Sequence, residues 1–302
     1  MPFVKRGVLY GAGAYVLWGL FPLYWPLLKP AGAMEILAHR IMWSLVAVAA
    51  ILAAGRNWSR LRAITWRQAG LLALAAVLVS ANWGTFIYAV NSGHTIEGAL
   101  GYFINPLISV LFGVAVFRER LRFWQWAAVG LGTAAVVLLT VDYGRLPWIA
   151  LVLACSFGTY GLLKKFANTP SVESLTVETA VMFLPALAVA VTLQVRGDAA
   201  VGHHGIGHAA LVAGAGLVTA VPLLLFNSAA IRLPLSTIGM LQYLAPILQF
   251  LIGLLVQDER MPASRWAGFL LVWLALIALT WDGVRAARRT RPLPEPVPEA
   301  VH

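Results

Sequence analysis

An apolar stretch that occurs twice constrains the fold of this chain most. The first copy, Glu97–Trp126, carries a mid-span Asn105-Pro106 pair, and the second copy, Ser236–Trp266, carries Pro246. The two prolines are 140 residues apart (246 − 106 = 140). At that offset, identical residues coincide without a gap: Leu111 and Leu251, Gly113 and Gly253, Glu119 and Glu259, Arg120 and Arg260, Trp126 and Trp266. The chain is therefore predicted to be duplicated, with a proline interrupting the same helix in each half.

The composition places the chain in a membrane. Of its 302 residues, 60% are hydrophobic and only 11% are charged, with a mean hydropathy of +0.80. A soluble domain needs more charge than this to cover its surface. Runs long enough to cross a bilayer are predicted at about 7–28, 34–54, 70–91, 97–117, 123–141, 147–165, 175–195, 209–230, 237–256 and 265–283. The predicted fold is an all-α polytopic membrane protein with about ten transmembrane helices.

The basic residues predict the orientation of these spans. With a cytoplasmic N-terminus, the inner loops and the tail hold sixteen Lys and Arg residues and the outer loops hold five, with Arg40 assigned to the second span. The excess favours both termini in the cytoplasm. Five spans in each half then make the repeat inverted, an arrangement typical of secondary transporters. The predicted units are residues 1–141, residues 142–283 and a disordered cytoplasmic tail, 284–302.

Five motifs resemble the RarD group of the EamA family, in the drug/metabolite transporter superfamily. They are Trp18–Pro22, Asn82-Trp83 with Tyr88–Asn91, Leu100–Pro106, Ser156–Gly161, and Leu235–Thr237 with Leu241–Tyr243. The resemblance implies two inverted five-helix repeats, a bacterial inner-membrane location, and transport of small metabolites or drugs. It also implies export as the direction of transport.

Polar and aromatic residues at mid-membrane depth are the candidate substrate-binding residues, because burying polar groups in lipid is costly and usually has a functional reason. They are Trp18, Asn82, Trp83, Tyr88, Asn91, Tyr102, Asn105, Tyr160, Asn227, Gln242 and Tyr243. One interpretation is that they line a cavity and bind the substrate by hydrogen bonding and stacking. The alternative is that the amides join helices to one another.

Three charged residues are candidates for coupling or gating. Arg40, within the second span, can pair with Glu35, bind an anionic substrate group or extend to the outer interface; pairing within the protein is favoured. Glu97 and Glu178 are candidate proton sites, because burial raises the pKa of a carboxyl group. Each also has a simpler interpretation, Glu97 as a charge at a helix N-terminus and Glu178 as a charge at the membrane boundary.

The same residues predict a transporter rather than an enzyme. Motifs for nucleophilic, zinc-dependent or ATP-driven chemistry are not found in the sequence. Cys155 is the single cysteine, and His203, His204 and His208 fall in a glycine-rich loop, so neither a metal nor a cofactor is expected. The predicted partners are a small-molecule substrate and the lipid bilayer, without nucleic acid, and a homodimer is left open. A membrane-embedded enzyme and a passive channel remain the alternatives.

Overall fold

The computed structural model describes residues 2–55, 58–118, 120–230, 232–233 and 235–289, and this part of the chain is helical apart from turns and short connections. The helices are α1 (Pro2–Gly19), α2 (Phe21–Tyr24), α3 (Ala33–Gly55), α4 (Trp58–Arg62), α5 (Trp66–Asn91), α6 (Thr95–Phe117), α7 (Phe123–Tyr143), α8 (Trp148–Ala167), α9 (Ser171–Arg196), α10 (Gly205–Ala230), α11 (Leu235–Leu241), α12 (Leu244–Leu255) and α13 (Ala263–Arg289). A 3-10 turn, Trp25–Leu28, follows α2. The all-α prediction is confirmed. Helix α13 extends into the segment that the sequence assigns to the tail.

Each predicted span corresponds to a helix or a pair of helices. Eight helices within the described residues are long and apolar enough to cross a membrane. The first span is bent by 41° where α1 gives way to α2 and the 3-10 turn, beside Pro22 and Pro26, which makes a ninth. The remaining span, predicted at about 237–256, is divided into α11 and α12, with the break at Gln242 and Tyr243. Helix α12 has 12 residues, whereas a helix needs about 20 residues to span the hydrocarbon core of a bilayer alone.

The two copies of the repeated stretch differ at their prolines. Helix α6 runs without a break through Pro106, so the predicted interruption of the first copy is wrong. In the second copy, Pro246 lies in the first turn of α12. Proline is tolerated in a first turn, where its missing N–H has no intrahelical partner to lose, and the chain before it is free to turn. The break in the second copy therefore lies at Gln242 and Tyr243, before Pro246.

The packing of the helices repeats at the same offset. In each half, the third membrane span packs against the first span of the other half: α5 packs on α8, and α10 packs on α1. The fourth span of each half also packs against the first span of the other half: α6 packs on α8, and α12 packs on α1. The pairs α3–α9, α6–α12 and α7–α13 each join equivalent helices. The backbone repeats as well: Arg118 and Asp258, 140 residues apart, both have a positive φ, at 53° and 52°. A left-handed conformation is uncommon for residues other than glycine, so its recurrence supports a true structural duplication.

Two ion pairs join α7 and α13 at opposite ends. Asp142, near the end of α7, accepts a hydrogen bond of 2.7 Å from Arg265, near the start of α13. Asp282, at the equivalent position in α13, accepts one of 2.7 Å from Arg122, which precedes α7. Because each pair joins the end of one helix to the start of the other, α7 and α13 are antiparallel, as an inverted repeat requires.

Glycines allow the closest helix contacts. A Cβ at Gly216 of α10 would lie 2.5 Å from the backbone carbonyl of Trp43 in α3, and one at Gly101 of α6 would lie 2.8 Å from the carbonyl oxygen of Ala150 in α8. Any larger residue at either position must move a backbone. Small residues of this kind are the usual contact points between helices in membranes.

Candidate functional site

Aromatic side chains form a cluster where the bent first span meets α3, α5, α8 and α10. Phe21, Trp25, Phe86 and Leu153 are buried in it, and Trp18 and Tyr102 pack against its edge. The bend of the first span places Phe21 and Trp25 at this position. The sequence-predicted residues Trp18, Asn82, Trp83 and Tyr102 lie in or beside this cluster, which makes it the candidate substrate region.

Arg40 is the buried charge in this region, and we call the group of Phe21, Trp25, Arg40, Trp83 and Thr219 the Arg40 enclosure. The Arg40 side chain lies about 10 Å along α3 from its first residue, at 1.5 Å per residue, and the residue is only 3% exposed. Its Nε donates a hydrogen bond of 2.9 Å to Thr219 Oγ1 in α10. Its Cζ lies 4.0 Å from the ring centroid of Trp83, 5.0 Å from that of Trp25 and 5.5 Å from that of Phe21. Arg40 thus contacts three aromatic faces, a cation–π arrangement.

The favoured pairing of Arg40 with Glu35 is wrong. Both carboxylate oxygens of Glu35 accept from the backbone N–H of Ala200, at 2.9 and 3.1 Å, and one also accepts from that of Val201. Five residues separate Glu35 from Arg40, so the two side chains point to different faces of α3; an ion pair within a helix needs a separation of three or four. Among the residues that the structure describes, no carboxylate lies within 4.0 Å of the Arg40 guanidinium.

Asn82 joins three helices. Its Nδ2 donates to Leu153 O and to Ser156 Oγ in α8, each at 3.0 Å, and its Oδ1 accepts from the Tyr102 hydroxyl of α6, also at 3.0 Å. The amide is buried, and its nitrogen and its oxygen both have protein partners. This geometry favours the alternative in which the amide joins helices, for Asn82 and for the hydroxyl of Tyr102.

Several buried polar atoms have no hydrogen-bond partner among the described residues. They are Trp25 Nε1, Ser44 Oγ, Asn91 Oδ1, Asn105 Oδ1, His208 Nδ1 and Gln249 Oε1. Asn105 lies on α6 one turn after Tyr102, against Gly158 of α8. The other end of the Gln249 amide donates to the carbonyl of Trp18 at 3.2 Å. A buried polar group without a partner costs free energy, and of these atoms Trp25 Nε1 belongs to the aromatic cluster described above.

Tyr88 and Asn91 lie apart from the Arg40 enclosure, at the end of α5. They line an open cavity of about 440 Å³ together with Ser92 and the segment Lys29–Ala33. Tyr88 is 44% exposed and its ring packs against Trp148. These two residues therefore border a surface cavity at a helix end.

Tyr160 and Glu178 are brought together by α8 and α9. Glu178 Oε1 accepts hydrogen bonds of 2.7 Å from Lys164 Nζ and from Ser174 Oγ, and its Oε2 accepts one of 3.1 Å from the Tyr160 hydroxyl. The carboxylate is buried, while the lysine is partly exposed. Glu178 is thus the centre of an ion-pair network that links two helices.

Glu97 occupies the first turn of α6 and is paired. Its carboxylate accepts from both terminal nitrogens of Arg145, at 2.8 and 3.3 Å, and from the backbone N–H of Ile149 in the first turn of α8. The hydrogen bond to Glu97 raises the pKa of the Arg145 guanidinium above its usual value. The contact therefore ties the start of α6 to the start of α8 by charge and by capping.

Glu259 belongs to the charged end of the second repeated stretch, for which the sequence leaves two interpretations open: a simple helix-end charge, or an ion pair that closes a gate. It accepts from the backbone N–H of Thr95 at 2.5 Å and of Ile96 at 3.0 Å, at the N-terminus of α6. Gln257 accepts from the Thr95 hydroxyl and donates to the carbonyl of Pro22 at 3.1 Å. Like Glu35 and Glu97, Glu259 holds a helix N-terminus or the loop before it with its carboxylate. The three glutamates fasten the same end of the helix bundle.

The remaining predicted residues are less informative. Trp18 packs edge-on against Tyr15 and tilted against Phe226. Gln242 and Tyr243 are partly buried at the break between α11 and α12, and Tyr243 packs against the cluster around Phe250 and Phe269. The side chain of Asn227 lies outside the described part of the structure, as does Glu119. Within the described residues, no group of three His, Cys, Asp or Glu side chains could hold a metal ion.

Comparison with known proteins connects this geometry to a family. Residues 5–141 match the EamA-like transporter family. Protein RarD of Streptomyces exfoliatus is 57% identical over 95% of this chain and 92% of its own length. The uncharacterized transporter YojE of Bacillus subtilis (strain 168) is 42% identical over 95% and 97%, and Protein RarD of Escherichia coli (strain K12) is 39% identical over 95% and 97%.

The fold has a relative among solved structures. A protein crystal structure superimposes with a TM-score of 0.59 and 21% identity, covering 93% of this chain and 99% of the other. Together with the apolar helices and the repeated packing, the relatives assign the class of protein. The chain belongs to the RarD group of the EamA family, in the drug/metabolite transporter superfamily, and is a multi-pass membrane transporter.

Proposed function

We propose that this protein is a secondary active transporter that moves small organic metabolites or drugs by alternating access. The contact of Glu259 with the start of α6 carries the proposal. It joins the two halves at one end of the bundle through hydrogen bonds that can break without unfolding either helix. Two similar halves held by such contacts can rock against one another around a central site.

The orientation follows from the distribution of basic residues. With both termini in the cytoplasm of a bacterial inner-membrane protein, the ends of the helices that Glu35, Glu97 and Glu259 hold face outward. The described conformation is then closed on the outer side. Transport in the direction of export begins from an inner opening, and release requires the Glu259 contact to break. The proposed rocking units are residues 1–141 and 142–283.

Counterflow in proteoliposomes tests this function. Purified protein is reconstituted, the vesicles are loaded with an unlabelled amino acid or aromatic antibiotic, and uptake of the labelled compound is measured with and without a pH gradient. A carrier shows saturable uptake that a preloaded compound accelerates. Flux that rises linearly with concentration and ignores the preload indicates a channel and contradicts the proposal.

A further inference from the structure

The charge of Arg40 is not balanced by the protein around it. Arg40 is 97% buried (3% exposed) in a membrane-spanning helix, and no described carboxylate is within 4.0 Å of it. Buried charges in proteins are normally paired, because removal from water is expensive. In a membrane span, an ionisable residue in the protein interior is most often part of a substrate or ion pathway.

The guanidinium also has donors to spare. Thr219 accepts from Nε, and the two Nη groups have no acceptor among the described residues. Trp25, whose ring centroid lies 5.0 Å from Arg40 Cζ, adds a buried indole N–H without an acceptor. The enclosure therefore offers a cation and several unused donors, which is a site for an acceptor-only group.

The rest of the enclosure selects the body of the ligand. Phe21, Trp25 and Trp83 present aromatic faces around the cation. Trp83 also lines a cavity of about 10 Å³ between α3, α5 and α9, room for about one water molecule. A larger solute thus enters only when these helices separate, as alternating access requires.

We propose that the Arg40 enclosure binds the carboxylate of an organic substrate that has an aromatic or apolar body. A carboxylate matches the planar fork of a guanidinium with two parallel hydrogen bonds. The aromatic faces stack on the body of the substrate. The proposal rests on the proposed transport function, and it names the substrate class of that site.

Matched carboxylate and carboxamide probes test the charge requirement on the full-length protein in detergent. Benzoate, 4-hydroxybenzoate and 3-phenylpropionate are titrated beside their carboxamides, and the Kd is measured by intrinsic fluorescence and by thermal stabilisation. At least one carboxylate is expected to bind at least tenfold more tightly than its carboxamide. If no carboxylate binds better than its carboxamide, the proposal is overturned.

Variants locate the site. Arg40→Gln is expected to abolish the difference within each pair, and Arg40→Lys to reduce it, since an ammonium keeps the charge but loses the fork. Arg265→Gln, which removes a cation from an ion pair at a helix end, is the matched control and should retain the difference. An Arg40→Gln protein that still prefers the carboxylate overturns the proposal.

Trp83→Phe keeps the test decisive if the Arg40 variants do not fold. Binding over the Trp83 ring should change its emission, so the fluorescence response should shrink in Trp83→Phe. The carboxylate should still stabilise this variant more than its carboxamide does, because Arg40 is unchanged. A response that is undiminished when Trp83 and Trp25 are both replaced by phenylalanine places the ligand elsewhere and overturns the proposal. These measurements report binding alone. If the carboxylates do not bind but counterflow is observed, the Arg40 proposal is refuted and the transport function is not. If the carboxylates bind but counterflow is not observed, only the transport function is refuted.

Discussion

Breaking the Glu259 contact should open the outer side of the protein. Glu259→Gln removes the charge and replaces one carboxylate oxygen with an amide nitrogen, so at most one of the two backbone N–H groups of α6 keeps its acceptor. A hydrogen bond to a charged group contributes about 1.5–3 kcal/mol, and Glu259 is only partly buried, so we take about 2 kcal/mol. At about 1.4 kcal/mol per factor of ten, the open population should rise about 30-fold.

The accessibility of Ile96 reports that opening. Ile96 is 2% exposed, directly behind the contact, and Ile96→Cys in a Cys155→Ser background supplies a single thiol. The rate of labelling by a membrane-impermeant thiol reagent should rise in proportion to the open population. Asp258→Asn is the matched control: Asp258 is the exposed neighbouring carboxylate, and asparagine tolerates its positive φ. An unchanged rate in Glu259→Gln, or an equal rise in Asp258→Asn, would refute the reasoning.

Three further predictions concern the helix contacts. Glu97→Gln and Glu178→Gln should each lower thermal stability, because each breaks an ion pair. The pH dependence of transport should not change in either variant, and a shifted pH profile would show that the carboxylate takes part in proton coupling. Asp142→Asn and Asp282→Asn should each lower the free energy of unfolding by about 1 kcal/mol. Their effects should add in the double variant, because the two pairs lie at opposite ends of α7 and α13. Unfolding in mixed micelles measures both effects, and a strongly non-additive double variant would contradict independent pairs. Gly216→Ala should lower the free energy of unfolding by about 1–3 kcal/mol, because a Cβ there meets the Trp43 backbone. Gly161→Ala is the control: no atom lies within 4 Å of the new Cβ, so the free energy of unfolding should stay within about 0.5 kcal/mol in the same assay. Equal effects of the two substitutions would argue against the packing.

The sequence predicts the fold well because its signals are local or strictly periodic. Apolar runs locate the helices, and identical residues at a fixed offset reveal the duplication. The break in the repeated stretch was less predictable. Pro106 and Pro246 occupy the same register, but only the second falls in the first turn of a helix. Whether a helix continues through a proline or breaks before it depends on packing against other helices, which a single sequence does not show.

The site was predictable only in part. Arg40 stands out in the sequence because a charge within a span is rare, whereas its contacts come from three other segments, around residues 25, 83 and 219. Glu259 looks like an ordinary helix-end charge, and its partner Thr95 is 164 residues away. The sequence marks Asn82 as a polar residue at mid-membrane depth and a candidate for substrate binding, but only the geometry shows that its amide joins α5 to α6 and α8.

Distances between spin labels at the two ends of the bundle test alternating access most directly. One label pair spans α6 and α12 at the end held by Glu259, and a second pair spans the same helices at the opposite end. Alternating access predicts two populations in which one distance lengthens as the other shortens, and Glu259→Gln should enrich the population with the longer distance at the Glu259 end. A single population at both ends, unchanged by Glu259→Gln and by transported solute, would contradict the account.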